Sequence, residues 1–318
     1  MNRILVLTYT EDPHADSVCN YLHSTGHYCF RVDTDRLIED YSITFDSDRG
    51  LFVISDRRSD HPITDDWCIW NRRILDPSAP ADMPADLLEI VKTETRRTWE
   101  GLLYSFNGRI VNHPRAQLCA NNKIHQLLFA KRHRSNTKVP HTLITNDPQR
   151  LREFWHSKDK TCHKLQRQCV VEKDGAPYTV YTNVVNAGAL DNAELIRRNP
   201  CIFQEYVEKE YELRITALVE RCIGIAIHSQ ESDCSRIDWR RYDFENVEYE
   251  NVNLPSEVEN FCGDILRNYG LSFAQIDMIL TPSGDYIFLE INPNGQWLWL
   301  EKQSGYDLTK PIAENLIR

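Results

Sequence analysis

The strongest constraint on this chain is a pair of apolar segments near its C-terminus. Phe273-Ala-Gln-Ile-Asp-Met-Ile-Leu-Thr281 and Tyr286-Ile-Phe-Leu-Glu-Ile-Asn292 are separated by Pro-Ser-Gly-Asp. Strand-like alternation around a turn-forming tetrad predicts an antiparallel hairpin with a four-residue loop at Pro282–Asp285. Thr281 then faces Tyr286, and the same register sets Asp277 opposite Glu290. Alternation puts Asn292 on the face of Glu290. Carboxylates opposed at about 5 Å repel by roughly 3 kcal/mol at an effective dielectric of about 20. A cation relieves that repulsion. Three oxygen ligands, Asp277, Glu290 and Asn292, suit Mg²⁺, which keeps waters and bridges to substrate phosphates. The same spacing also fits a hairpin whose carboxylates simply face water.

Other signals lie upstream. Cys201-Ile-Phe-Gln204-Glu205-Tyr206-Val207 is an apolar strand running into a polar segment, and a second strand opens with Glu212-Leu-Arg214. A strand edge offers backbone N–H and C=O groups to a flat base, and a carboxylate a few residues on can accept from ribose hydroxyls. An ordinary surface hairpin reads the same way. Lys123 opens a helix and Lys164 sits on a strand. Lysine serves phosphates well, although an isolated lysine is commonly a solvated one. Ser235-Arg236-Ile-Asp238-Trp239-Arg240-Arg241 clusters three arginines, a type that steadies transferring phosphoryl groups and carboxylates. For Arg236 and Arg241 a charged loop serves equally well. Lys131-Arg132-His133-Arg134 falls at a helix C-terminus, where cations complement the dipole. There is no Gly-Lys-Ser/Thr phosphate loop, no Gly-x-Gly-x-x-Gly, and no arguable Ser-His-Asp triad.

The chain has 318 residues, enough for about two domains or one built from several lobes. Its 37 Lys and Arg against 47 Asp and Glu leave a net charge of −10, which argues against a nucleic-acid binder. No apolar run reaches the ~20 residues of a membrane helix, and the N-terminal run is too short for a signal peptide. The expected location is the cytoplasm. The 10 cysteines contain no C-x-x-C pair and are expected as reduced thiols, several of them in apolar strands.

Residues 1–115 alternate strands and helices, the pattern of an α/β lobe with a mostly parallel sheet. Strands are expected at Arg3–Tyr9, Tyr28–Asp33, Asp66–Arg73 and Arg109–Asn112, the last stopped by Pro114. A helix at Ala15–Ser24 ends at Gly26, and a hairpin joins Ser42–Asp46 to Leu51–Ser55. A long helix over Pro84–Phe106 sets Leu87, Leu88, Val91, Thr95 and Thr98 near one face. Residues 116–207 hold a helix with Ile124, Leu127, Leu128 and Lys131 at helical spacing, and a helix that starts at Asp147-Pro148. Strands are expected there at His163–Val171, Tyr178–Val185 and Ile202–Val207, the first two joined by the turn Lys173-Asp-Gly-Ala176. Residues 208–318 are strand-rich. Glu212–Val219 pairs with Ile223–Ser229, and a helix at Ser256–Tyr269 stops at Gly270.

Taken in order, Lys123, Lys164, Gln204-Glu-Tyr-Val207, Glu212-x-Arg214, Arg240, Asp277 and Glu290-x-Asn292 resemble the ATP-grasp superfamily. Phe288-Leu-Glu-Ile-Asn-Pro-Asn-Gly-Gln-Trp-Leu-Trp-Leu300 resembles the signature of microviridin-type graspetide synthetases, peptide maturases that make side-chain macrocycles. Trp70-Asn-Arg-Arg73, Tyr181-Thr-Asn-Val-Val and Ile237-Asp-Trp-Arg240 are similar to that family too, so the resemblance spans nearly the whole chain. It implies an ATP-grasp fold of α/β and α+β lobes: a pre-ATP-grasp N-terminal lobe (1–115), a central small lobe (116–207) and a C-terminal lobe (208–318), with ATP between the last two.

On this resemblance Lys123 and Lys164 contact phosphates, and Gln204, Glu205, Tyr206 and Val207 meet adenine mainly through backbone. Glu212 takes the ribose, and Asp277, Glu290 and Asn292 hold one or two Mg²⁺. Arg214 and Arg240 steady the γ-phosphate and an acyl phosphate. The implied reaction activates an Asp or Glu side chain of a precursor peptide, through ATP, for attack by a Thr or Ser hydroxyl or a Lys amine of the same peptide. Asp238 is a candidate to help deprotonate the hydroxyl. The implied partners are a precursor peptide with leader and core and a second copy in a homodimer, with no nucleic acid and no membrane. Two positions depart from the family: Lys164 is followed by Leu165 rather than Pro, and the loop after it lacks glycine until Gly175. A ligase adding free amino acids, or a non-catalytic peptide binder, would share the fold. The Asn-Pro-Asn-Gly-Gln-Trp stretch argues against the first and the metal-type triad against the second.

Overall fold

The computed structural model describes residues 2–166, 170–173 and 176–318. Its N-terminal part is built on a parallel sheet in the order Tyr28–Asp33, Arg3–Thr8, Trp67–Asn71, Arg109–Val111. Residues 4–8 are all buried, as an inner parallel strand covered on both faces requires. The helix Pro13–Ser24 follows, with the Asp12 side chain capping it by accepting from the His14 N–H. Gly26, at φ 81°, ends it in the left-handed region. The hairpin Ser42–Asp46 with Leu51–Ser55 forms as expected and gains a third strand, Asp60–Ile63. Four residues with an internal proline gave that strand no readable alternation.

Three helices differ from expectation. The long helix runs Ala85–Ser105, but it buries Trp99, Leu102 and Leu103 at its C-terminal end, while Leu87 stands exposed. Pro114, expected as a strand stop, instead occupies the first position of a helix, Pro114–Ala120. The next helix, Lys123–Arg132, leaves Ile124 and Leu128 exposed and buries Gln126 and Ala130. It lies against the C-terminal hairpin, so its buried side is chosen by that strand rather than by its own most apolar stripe.

A small antiparallel sheet has the order Asn183–Val184, Thr161–Lys164, Cys201–Glu205, Thr142–Thr145. The helix Pro148–His156 packs on it through Leu151 and Phe154, capped by the Asp147 side chain on the N–H groups of Gln149 and Arg150. The expected strand His163–Val171 is divided between this sheet and a ribbon in which Val170–Lys173 pairs with Ala176–Thr179. Tyr178–Val185 is divided likewise, between Ala176–Thr179 and Asn183–Val184. Positions 174–175 of the expected turn, and 167–169 of the loop after Lys164, lie outside the described residues.

The large antiparallel sheet has the order Tyr249–Val252, Arg221–Ile227, Tyr211–Leu218, Phe273–Leu280, Tyr286–Asn292. The helix Ser256–Tyr269 covers one face with Val258, Phe261, Ile265 and Tyr269, and Gly270 at φ 67° stops it. The C-terminal helix Thr309–Leu316 packs against Pro13–Ser24, so Val18 and Leu22 share a core with Ile312 and Leu316. The first and last parts of the chain are thereby fused.

The hairpin register holds one correction. Leu280, not Thr281, faces Tyr286, and the loop runs over residues 281–285. A bulge then places Leu289 as an extra residue between Phe288, paired with Met278, and Glu290, paired with Asp277. The slip and the bulge cancel, so Asp277 still faces Glu290.

Candidate active site

Asp277 lies on an inner strand of the large sheet, with Arg214 opposite it on one side and Glu290 on the other. Arg214 Nη1 donates to both Asp277 oxygens at 2.7 Å. Asn292 Nδ2 donates to Asp277 Oδ2 at 3.1 Å and to Glu290 Oε1 at 3.2 Å. The Lys123 ammonium pairs with Glu290. Lys123 is delivered by the first turn of its helix, which the Asn122 side chain caps. That helix is clamped to the strand by Gln126: Oε1 accepts from the Ile291 N–H at 3.0 Å and Nε2 donates to the Ile291 carbonyl at 3.0 Å.

The two facing carboxyls respond differently to this setting. Burial pushes the Asp277 carboxyl up, Arg214 opposes it, and the Glu290 charge adds to it. Burial also acts against charge on Glu290, but Lys123, Lys164 and Arg240 surround it and hold it well below the usual carboxylate range. Burial pushes the Lys164 ammonium down, with Glu290 opposing and Lys123 adding to the shift. Among the described residues no group of three or more His, Cys, Asp or Glu is placed to hold a metal. The set here is a buried carboxylate, Asp277, and a partly buried one, Glu290, completed by an amide that also carries an oxygen. Such all-oxygen donors, free of thiolate and imidazole, fit a hard divalent cation such as Mg²⁺.

A cleft opens from this cluster between the small and large sheets. One wall is Gln204–Val207. The other carries Ile279, Leu289 and Trp239, and Lys164, Arg240, Asp277 and Glu290 lie at its inner end. The bulge explains how consecutive residues, Leu289 and Glu290, both line it. The Glu205 and Tyr206 N–H groups donate to the carbonyls of His141 and Lys160 at 3.0 and 2.9 Å. The Glu205 side chain accepts from the His141 N–H and pairs with Lys158, and Gln204 Nε2 donates to Thr142 Oγ1. These side chains fasten the hinge strand. Glu212 is buried at the same cleft, where Oε1 accepts from Lys209 Nζ at 2.8 Å and Ser229 Oγ at 2.9 Å. Burial pushes the Glu212 carboxyl up, with Lys209 opposing.

Arg240 stands at the inner end of the cleft in a two-pronged pair with Asp238, Nε to Oδ1 at 2.8 Å and Nη2 to Oδ2 at 2.6 Å. Asp238 also accepts from the N–H groups of Thr182 and Arg240. Burial opposes the Asp238 charge, yet Arg240 and these N–H groups outweigh it and hold the carboxyl below its ordinary range. Arg236 instead pairs with exposed Asp233, and Arg241 donates to Asn183.

Beyond Arg240 the cleft continues into a basin lined by Arg73, Tyr181, Arg214, Tyr242, Trp239 and Trp299. The last two rings stack with centroids 4.6 Å apart. The structure thus brings Lys123, Lys164, Glu212, Arg214, Arg240, Asp277, Glu290 and Asn292 around one continuous cleft, with Gln204, Glu205, Tyr206 and Val207 along its wall. Sequence reasoning missed Lys209, Gln126 and the two stacked tryptophans. Lys209 was legible as an i, i+3 partner of Glu212. A lone buried glutamine on a helix carries no such signal.

A family model described as the MvdD pre-ATP grasp domain matches residues 3–117. Among solved structures, a Chryseobacterium gregarium RiPP-associated ATP-grasp ligase in complex with ADP and a leader and core peptide superposes with a TM-score of 0.89. It is 26% identical and the match covers 100% of this chain and 96% of that one. Macrocyclase MdnC of Microcystis aeruginosa MRC, bound with precursor peptide MdnA, gives a TM-score of 0.86 at 27% identity, covering 99% of each chain. Macrocyclase MdnB from the same organism gives 0.79 at 26% identity, covering 100% of this chain and 99% of that one. No curated protein sequence matches the chain.

Proposed function

We propose that this chain, an ATP-grasp ligase of the graspetide-synthetase kind, is a macrocyclase that closes side-chain rings within a ribosomal precursor peptide at the expense of ATP. One observation carries the reading: a base-sized cleft and an arginine- and aromatic-lined basin meet at the same Arg240, Asp277 and Glu290. A nucleotide and a peptide side chain then reach one cluster from opposite sides.

In this reading the segments 1–115, 116–207 and 208–318 act as pre-ATP-grasp, central and C-terminal lobes. Adenine lies along Gln204–Val207, where the Glu205 and Tyr206 N–H groups already have partners and the Glu205 carbonyl and Val207 N–H serve the base. Glu212 accepts from the ribose, and Lys123 and Lys164 take phosphates. Asp277, Glu290 and Asn292 hold Mg²⁺, which when bound offsets charge on the transferring phosphoryl group. Arg214 and Arg240 orient the peptide carboxylate and the acyl phosphate formed from it. A hydroxyl of Thr or Ser, or a Lys amine, of the same peptide then displaces phosphate to give an ester or an amide. Arg240, fixed by Asp238, is pre-set for planar two-pronged recognition. The partner is a peptide with leader and core, and the protein acts as a homodimer in the cytoplasm. No helix among the described residues is long and apolar enough to cross a membrane.

The test is intact-mass analysis of acidic, Thr/Ser-rich peptides encoded beside the gene, incubated with the protein and Mg-ATP. Loss of one water per ring, dependent on ATP, is the expected result, and sensitivity to hydrolysis sorts ester from amide. A gain in mass would replace this reading with amino-acid ligation.

A further inference from the structure

Within the motif Trp70-Asn-Arg-Arg73, Arg72 has no part in the reaction as described, yet it is among the most buried residues of the protein, at 1% exposure. Its Nη1 donates to the Asn294 carbonyl at 2.7 Å, across 222 positions of sequence. Its Nε faces Asp12 Oδ2 at 3.3 Å, and its guanidinium stands over the Trp297 ring at 5.3 Å. His14 packs edge-on against the same Trp297 ring, with centroids 4.3 Å apart. Burying a guanidinium is unfavourable unless it is paired, and here its partners are an acid of the N-terminal lobe and the loop that follows Asn292.

Arg72 does not act alone on that loop. Asn112 Nδ2 donates to the Pro293 carbonyl at 2.9 Å, and Gln117 Nε2 donates to Asn294 Oδ1 at 3.1 Å. Asn71 joins the two, donating to the Asn112 carbonyl and to Gln117 Oε1. Arg214, which holds Asp277, reaches the Gln296 carbonyl at 3.4 Å. Consecutive residues after Asn292 are therefore gripped from the N-terminal lobe and from the helix Pro114–Ala120 at its end, and the far end of the same loop touches Arg214.

We infer that Arg72, with Asn112 and Gln117, is a positioning residue: the N-terminal lobe and the helix Pro114–Ala120 at its end fix the 293–297 loop and thereby the placement of Asn292 and Arg214 around Asp277. This rests on the reading of Asp277, Glu290 and Asn292 as a cation site. Hydrogen bonds locked in this way hold a site within the fraction of an ångström that metal binding and phosphoryl transfer demand. Arg73, next in sequence, lines the basin, so the two arginines serve different surfaces.

The experiment measures Mn²⁺ binding by electron paramagnetic resonance with ADP present, on the full chain and on Arg72→Lys, Gln117→Ala and Asp277→Asn. Outer partners of metal ligands change affinity by about 10–100-fold. Arg72→Lys is expected to weaken Mn²⁺ by about 10-fold or more and Gln117→Ala by a smaller factor, while ADP affinity without metal stays within about 3-fold. Gln117 is only half-buried, so its variant keeps the test open should Arg72→Lys fold poorly. If the unsubstituted protein binds Mn²⁺ no better than Asp277→Asn, the cation site itself is wrong. If that contrast is present but Arg72→Lys and Gln117→Ala bind Mn²⁺ as the unsubstituted protein does, the positioning role is overturned and the cation site stands.

Discussion

Asp277 and Glu290 face each other across adjacent strands, yet their surroundings drive their acidities in opposite directions. Burial raises Asp277 despite Arg214, whereas three cations draw Glu290 down despite its burial. The pair is therefore not symmetrical in the absence of a ligand. Glu290 is the charge that its neighbours need, and Asp277 is the charge that they tolerate poorly.

That asymmetry predicts unequal variants. Glu290→Gln leaves Lys123, Lys164 and Arg240 without their common partner, a loss on the order of 3 kcal/mol for a buried charge cluster. Asp277→Asn removes a charge that burial disfavours but leaves buried Arg214 with a neutral partner, so its loss is expected to be smaller, about 1.5–2 kcal/mol. Urea melts of the ligand-free protein at neutral pH check this. Both variants are expected to lose metal-dependent turnover, and equal destabilisation would remove the asymmetry.

The same shifts set a pH dependence. With its carboxyl raised, Asp277 keeps its proton in the folded protein where the unfolded chain has lost it. Its contribution to stability is full below the ordinary Asp value and is lost as pH rises through the raised one. Glu290, held low, contributes fully above the ordinary Glu value and loses that contribution as pH falls toward its depressed one. A divalent cation competes with the Asp277 proton. Mg²⁺ affinity is therefore expected to climb with pH across the window above the ordinary Asp value. Calorimetric titrations at several pH values would show it, and an affinity that does not rise with pH above the ordinary Asp value would contradict a raised Asp277.

Asp238 lies where a general base would be sought, but its oxygens are engaged by Arg240 and two backbone N–H groups. With its carboxyl held below the ordinary range it does not titrate near neutrality, so it orients Arg240 rather than taking a proton. Asp238→Asn is expected to lower kcat by roughly 10²-fold, the scale seen when one transition-state contact is lost. The shape of the pH–rate profile should be unchanged. Disappearance of its acidic limb would restore Asp238 as a base.

Much of this was legible because the relevant interactions are local. The cap at Asp147 and the stops at Gly26 and Gly270 follow from spacing within a few residues, and the pairing of Asp277 with Glu290 from the span of one hairpin. The pairing survived a register error only because a bulge at Leu289 compensates for a longer loop, and no alternation pattern reports a residue added inside a strand. Partners far apart in sequence were not legible. The contact of Arg72 with Asn294, the grip of Gln126 on Ile291 and the exposure of Ile124 are decided by which lobe lies against which. Helical periodicity identifies a helix's apolar stripe but not the surface that covers it.

Gly295 puts the loop after Asn292 to a steric test. A Cβ there would lie 2.4 Å from both Cβ and Cγ of Gln275 and 3.0 Å from Arg214 Nη2. Gln275 is fully buried and bonded through its amide to Thr216, so it has little room to yield. Gly295→Ala must therefore push the loop outward, away from Arg214 and with it Asn292. Overpacking of this kind destabilises by about 1–3 kcal/mol. Gly305 supplies the comparison: it sits at φ 67° and a Cβ there would meet nothing within 4 Å, so Gly305→Ala strains only backbone. That strain is about 1–2 kcal/mol. The two variants should thus melt at similarly lowered temperatures while differing in turnover, with Gly305→Ala close to the unsubstituted protein and Gly295→Ala lowered at least about 10-fold. Calorimetry and steady-state ATP hydrolysis on both decide it, and equal turnover at equal stability would show that the loop's position does not bear on the chemistry.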